Sequence, residues 1–430
     1  MRVSIGLKSR KADIYLVPNE NLYTGSKSFE KYFGEINSLE EDLLTVASGI
    51  FAADLAIKRE ERELNIRSIQ LEIEVVNFHA FERIKNDLTY ALNVLSKDNW
   101  EIIFHSKKGN STNEMEWIKN EGYVLLFSGG LDSMCAAYEF MRDNKPLVLV
   151  SHNTLGNHAV EDAQQNVLKI LTDKFSLKTP HFGIRVFGRN KDSHSFPTDN
   201  ERENSQRTRS FLFVTLGALI ARRCRYNKVL FMAENGQFAI HLPLNQSRIG
   251  PFSTHTADPE FLSRAELIFK VLLNNDDFLI FNPYLYKTKA EVLSVLSEDV
   301  FKKVPNSVSC WKASRNVEKL HCGECIPCIS RRIACEINGF KFDEFVTDIF
   351  NEDISLLADD NIGKTNIVDY IEFILKFKEV NESNKFELFG DFPELFNDSF
   401  NQDDAIKMYK RMANQSFEVL KRYTKILKYI

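Results

Sequence analysis

The chain has 430 residues and a formal net charge of −5, long enough for two or three domains with cores of their own. Its basic residues are not gathered into one block, which speaks against a general nucleic-acid binder, and no run approaches the ~18 consecutive apolar residues of a membrane span. The opening MRVSIGLKSRKADIYLV lacks the apolar core of a signal peptide, and seven cysteines at this length do not make a secreted disulfide scaffold; a cytoplasmic location is the expectation.

Residues 1–120 read as a small α+β domain. RVSIGLK and ADIYLVP look like paired strands. A long helix is expected from Ser38, with Glu41 three residues on as the second half of a capping box. RSIQLEIEVVN alternates like a half-buried strand, FERIKNDLTYALNVLSK returns to helix, and WEIIFHS closes with strand. Nothing in this stretch carries chemistry, so a packing or partner-docking role is expected. A polar connection, KKGNSTNEMEWIKNEG, follows.

Between 121 and 340 the pattern changes. YVLLF, PLVLVSH, HFGIRVFG, KVLFMAE and DFLIFNPY are short, nearly all-apolar runs separated by helical stretches, as in a parallel sheet covered by helices on both faces. Ligands of such sheets sit beyond the carboxyl ends of the strands, where Ser128, His152, Glu234 and Asn235 fall. Residues 341–430 read as a helical region rich in Phe, Asp and Asn. It ends in a basic amphipathic segment whose charges suit a solvated outer face, with RNA or a membrane surface as the alternative.

Three stretches carry chemistry. Ser128-Gly129-Gly130-Leu131-Asp132-Ser133 follows a buried strand and opens a helix. Glycines there let backbone N–H groups approach an anion, the helix terminus adds positive potential, and Asp132 could position a magnesium ion; the plain alternative is a tight turn capped by Asp132 or Ser133. Arg207 and Arg209 stand at the entrance of another helix as a candidate phosphate clamp, and Lys287 and Lys289 stand in the turn before a third. Cys310, Cys322, Cys325 and Cys328 are spaced for tetrahedral zinc, in a structural site because four thiolates leave no open position. Cys135, Cys224 and Cys335 read as packing cysteines.

The SGGLDS string resembles the pyrophosphate (PP) loop of the N-type ATP pyrophosphatases, whose fold is that of the adenine nucleotide α-hydrolases. Together with the downstream CGECIPCISRRIA it is similar to the QueC family, the 7-cyano-7-deazaguanine synthases. Arg207 matches an arginine ahead of the family's FLS helix (here FLF), and Thr288 and Lys289 match its TKAE turn. The resemblance covers roughly 123–340. It implies ATP, magnesium and zinc, with Ser128, Gly129, Gly130, Leu131, Asp132, Ser133, Arg207 and Arg209 at the nucleotide and Asp132, Arg207 and Lys289 in catalysis. It further implies adenylylation of 7-carboxy-7-deazaguanine followed by attack of an amine, ammonia in the family.

The middle departs from the family: ENGQFAIHLPLNQSRIGPFSTHTADPEF replaces its YPDCR-type segment. Glu234, Asn235, Arg248 and Asp258 are candidate substrate contacts here, with Gln237, His241, Thr254 and His255 nearby. The additional segments resemble QueC-like proteins of antiphage systems of the Qat type, which implies an amine of a partner protein from the same operon as acceptor. Nitrile synthesis with ammonia, tRNA thiolation and nucleotide sensing without catalysis are the other readings that the loop allows.

Overall fold

The computed structural model describes residues 1–7, 11–59, 66–111, 120–154, 158–190, 196–198, 200–203, 205–230, 233–244, 256–313, 319–341 and 344–429. The first part holds β1 (Arg2–Ile5), β2 (Ile14–Leu16), β3 (Leu22–Tyr23), α1 (Ser26–Phe33), α2 (Ser38–Ala56), β4 (Ser68–Val75), α3 (Phe78–Ser96) and β5 (Asn99–Ser106). Four of these strands form a sheet in the order β2-β1-β4-β5, and every pairing in it is parallel. Helix α2 is buried on almost every side, as a helix must be when it is apolar all round. Its capping box is formed by Asn37 and Glu40, one residue earlier than the Ser38–Glu41 pair expected.

The second part holds β6 (Tyr123–Leu126), α4 (Leu131–Arg142), β7 (Leu147–Asn153), α5 (His158–Phe175), β8 (His181–Arg185), β9 (Phe187–Gly188), α6 (Arg209–Cys224), β10 (Lys228–Leu230), α7 (Gly236–Ile240), α8 (Pro259–Leu272), β11 (Leu279–Phe281), α9 (Lys289–Leu293), α10 (Glu298–Phe301) and α11 (Ile326–Ile337). The five apolar runs are strands of one sheet, in the order β11-β10-β6-β7-β8, and all of its pairings are parallel. Strand order reverses beside β6, since the chain goes next to β7 on one side and only later to β10 on the other. A crevice for ligand forms at such a switch point.

Helices α12 (Ile362–Lys378), α13 (Leu388–Asp391), α14 (Gln402–Leu420) and α15 (Thr424–Leu427) complete the chain. Here α12 and α14 pack on each other and on α11, around a core that takes in Ile326, Ile329 and Ile333 of α11. Among the described residues no helix is long and apolar enough to cross a membrane.

The apolar core does not stop near residue 120. One cluster runs from Val3 and Ile5 through α2 and α3 to Val124, Val148, α6 and Ile280, because α2 lies on α6 and α3 on α8. A buried polar network seals this junction at the amino end of α6. Asp54 accepts from the Thr208 N–H and hydroxyl, both at 3.0 Å, and pairs with Arg67 at 2.5 Å. Asp98 pairs with both Arg59 and Arg67 at 2.6 Å. Charges taken this far from water persist only when partnered and hydrogen-bonded.

Candidate active site

At the end of β6 the chain turns through Ser128–Gly130 into α4, and the turn is cross-linked to itself. The Gly130 N–H donates to Ser128 Oγ at 3.1 Å, Ser133 Oγ donates to the Gly130 carbonyl at 3.0 Å, and the two serine hydroxyls lie 3.1 Å apart. Gly129 has φ +73°, and a Cβ there would stand 2.8 Å from the Gln164 backbone nitrogen; the position needs glycine on both counts. Gly130 is the N-cap of α4, and no side chain caps the helix. The first amides of a helix have no partner within it, so those of Leu131, Asp132 and Ser133 give this mouth the character of an anion seat.

The Asp132 carboxylate is engaged by two other elements. It is buried, pairs with Lys289 Nζ at 2.7 Å, and accepts from the Asn235 N–H at 3.1 Å and from Asn235 Nδ2 at 2.6 Å. Three elements distant in sequence therefore meet at the switch point: the start of α4, the turn after β10, and α9, where Lys289 is the first residue behind the Thr288–Glu291 capping box. Arg411 of α14 pairs with Glu291 at 2.7 Å and so braces the helix that presents Lys289. Glu234 lies one residue before Asn235. Its Oε2 is buried and meets no hydrogen-bond partner, and burial first, then the Asp132 charge, lift its carboxyl to about 7.

Other candidates have partners close by or in the first part of the chain. Arg207 is buried and donates to the Ser96 carbonyl of the first part at 3.2 Å; burial, and then the Arg59 charge, bring it down to about 10. Arg209 donates to Gln206 Oε1 at 3.0 Å and lies over the Phe213 ring. Asp258 caps α8, accepting from the Glu260 and Phe261 N–H groups at 2.9 and 3.1 Å, so its carboxylate is already engaged with its own helix. Gln237 accepts from Ser330 Oγ at 2.9 Å, and His241 ends α7. His152, at the end of β7, donates to the Val186 carbonyl at 2.9 Å and packs on Phe51 of α2. Lys287 rests over the Tyr284 ring. Arg248, Thr254 and His255 lie outside the described residues.

Cys310, Cys322, Cys325 and Cys328 are all buried, with sulfurs within 4.8 Å of one another. Two of the Sγ–Sγ separations are 4.0 Å, close to the ~3.8 Å edge of a tetrahedron with metal–sulfur bonds of about 2.3 Å. Backbone N–H groups of Lys312 and Cys322 donate to Cys310 Sγ at 3.3 and 3.4 Å, as suits a sulfur carrying negative charge. This donor set fits a closed metal site.

The cluster also reaches the glycine turn. The Val308 N–H, two residues before Cys310, donates to the Gly129 carbonyl at 3.0 Å. Arg331 of α11, wholly buried, holds the same segment through Ser307 Oγ and Ser309 Oγ, both at 3.1 Å, and the Val304 carbonyl at 2.6 Å. This bracing role was not legible in the sequence, where Arg331 stood out only as half of an Arg-Arg pair behind the cysteines. The remaining cysteines are packing residues: Cys135 and Cys335 are fully buried, and burial raises all three thiols, Cys224 and Cys335 to about 11.

A sequence model described as queuosine biosynthesis protein QueC matches residues 122–339, half of this chain. Among curated proteins, the chain is 23% identical over 230 residues to the 7-cyano-7-deazaguanine synthase of Pseudoalteromonas translucida (strain TAC 125), covering 50% of this chain and 94% of that one. It is also 23% identical over 229 residues to the 7-cyano-7-deazaguanine synthase of Aquifex aeolicus (strain VF5), covering 50% and 97%. The matched stretch holds the five-stranded sheet, the glycine turn, the Asp132–Lys289 pair and the four cysteines, and on that evidence the chain belongs to the QueC family.

Proposed function

We propose that this chain is an ATP-dependent C–N ligase that adenylylates the carboxylate of 7-carboxy-7-deazaguanine, releases pyrophosphate, and passes the acyl group to an amine of a partner protein. The observation that carries this reading is the uncapped start of α4 at the switch point of a parallel sheet. A carboxylate is a poor electrophile at neutral pH, and transfer of AMP to it supplies a good leaving group. The protein then has mainly to align the acid with the α-phosphate and to offset charge.

In this reading Ser128, Gly129, Gly130 and the amides of Leu131–Ser133 hold phosphate oxygens, with magnesium arriving alongside ATP. Lys289, fixed by Asp132, supplies positive charge beside the departing pyrophosphate. The substrate sits against Glu234 and Asn235 at the end of β10. Arg207 is held by Ser96, so the first part reaches the sheet edge at which the chemistry is placed. Zinc bound by the four cysteines would lock the 307–310 segment against the glycine turn.

A protein acceptor is favoured over ammonia by the two flanking segments outside the family match, 1–121 and 340–430, and by their resemblance to antiphage members. Nitrile formation with ammonia is the second reading, favoured by the names of the relatives. The raised thiols outside the four-cysteine cluster offer no activated sulfur carrier for tRNA thiolation.

The test uses the pure chain with ATP, magnesium and the acid labelled with oxygen-18 in its carboxylate. Pyrophosphate release that depends on the acid, with one label appearing in AMP, is the expected result. ATP turnover indifferent to the acid would end the adenylylation reading. Efficient nitrile formation from ammonia alone would transfer the acceptor role to ammonia, whereas a deazaguanine-sized mass adduct on a co-expressed neighbouring protein would uphold the protein acceptor.

A further inference from the structure

We propose that Glu234 takes the proton from the attacking amine, making it a catalytic residue of the acyl-transfer half of the reaction; the inference rests on the function proposed above and deepens it. The backbone on either side fixes where this side chain stands. Ala233 has φ +44°, a region that a residue with a Cβ enters at a cost and that clusters at functional sites. The Glu234 carbonyl accepts from Asn282 Nδ2 at 2.6 Å, and Asn235 is tied to Asp132 through its N–H and its side chain.

Among the described residues, one oxygen of the Glu234 carboxyl group has no partner. Its Oε2 is buried and unpaired, while Lys289 is already engaged by Asp132 at 2.7 Å. The charged groups that bear on it are Asp132 of α4 and Lys289 of α9. A carboxylate oxygen buried without a partner serves no purpose in packing. Beside the place where an acyl group would be activated, it is a proton acceptor waiting for one. Burial and the Asp132 charge bring it to about 7, the range in which a general base works best at neutral pH.

The proposed step balances as follows. The amine nitrogen forms a bond to the acyl carbon and becomes cationic, and Glu234 Oε2 removes one of its protons. The acyl C–O bond to the phosphate then breaks, its electron pair leaving with AMP, and the proton passes from Glu234 to solvent.

Glu234→Gln in the full chain separates this from a binding role, with methylamine and hydroxylamine as probe nucleophiles. Hydroxylamine is neutral at pH 7 and gives up its proton readily. In the variant, acid-dependent ATP–pyrophosphate exchange is expected to fall far less than transfer, although Glu234 also lies against the acid. The variant should lose roughly 100-fold or more in transfer to methylamine, and less than tenfold in hydroxamate formation. The break near pH 7 in the rate of amide formation should vanish, and Glu234→Asp, which keeps a carboxylate, should recover part of the transfer rate. Transfer to methylamine undiminished by Glu234→Gln overturns the proposal. So does exchange that falls in step with transfer, or a KM for the acid that rises with kcat unchanged, because these mark a residue that holds substrate. Absence of exchange in the unsubstituted chain would instead overturn the adenylylation reading beneath it.

Discussion

Replacing Gly129 by alanine tests the glycine turn most directly. A residue with a Cβ at φ +73° costs about 1 kcal/mol relative to glycine. The added carbon would also stand 2.8 Å from the Gln164 nitrogen and 3.2 Å from the Ala163 carbonyl carbon. Both atoms are backbone of α5, so no change of rotamer relieves them, and forcing a group into such a place costs roughly 1–3 kcal/mol. The sum is about 2–4 kcal/mol, to be read by urea unfolding followed by circular dichroism. Should the turn yield instead of the fold, stability returns but the amides of α4 no longer converge, and acid-dependent pyrophosphate release should fall at least 100-fold. Gly339→Ala is the control: its φ is +80° with nothing within 4 Å of the new carbon, so about 1 kcal/mol and no effect on release are expected. A Gly129→Ala chain within about 0.5 kcal/mol of the original, releasing pyrophosphate normally, would refute the reasoning.

Two further outcomes follow from the site. The purified chain should carry one zinc per molecule by elemental analysis, and Cys325→Ser should lose the metal, lower stability by several kcal/mol and depress pyrophosphate release by loosening the Val308–Gly129 contact; a metal-free chain with full activity would contradict this. Glu234 imposes a pH-dependent cost, because its carboxyl is raised from 4.5 to about 7 in the folded chain. The unfolded chain loses this proton first, so stability is undiminished below pH 4.5, falls as pH rises towards 7, and stays lowered above it. Glu234→Gln should therefore be more stable than the original at pH 8 by about 3 kcal/mol and nearly equal at pH 4.5, as measured by urea unfolding. A difference that does not change with pH would mean that the carboxylate has a partner in the folded chain.

Local patterns were legible from the residues themselves. Runs such as YVLLF and PLVLVSH read most economically as strands covered on both faces, and they became β6 and β7 at the middle of the sheet. The glycine turn and the C-x2-C-x2-C spacing act over a few residues: the turn opens α4, and the four cysteines gather in one buried cluster. Even locally, however, a distant partner could tip a choice. Asn37–Glu40 and Ser38–Glu41 have the same spacing, but Arg223 of α6 pairs with Glu40 at 2.5 Å, while Ser38 Oγ accepts from Asn77.

Long side chains were decided by the tertiary structure alone. Arg207 is claimed by Ser96, 111 residues away, Asp132 by Lys289, 157 away, and Arg331 by a segment 22 to 27 residues before it. An arginine or a buried carboxylate can satisfy its charge with any of many groups, and only the packed chain settles which one comes within reach. A glycine at positive φ or a cysteine three residues from the next has no such freedom, and its role is therefore written in its immediate neighbours.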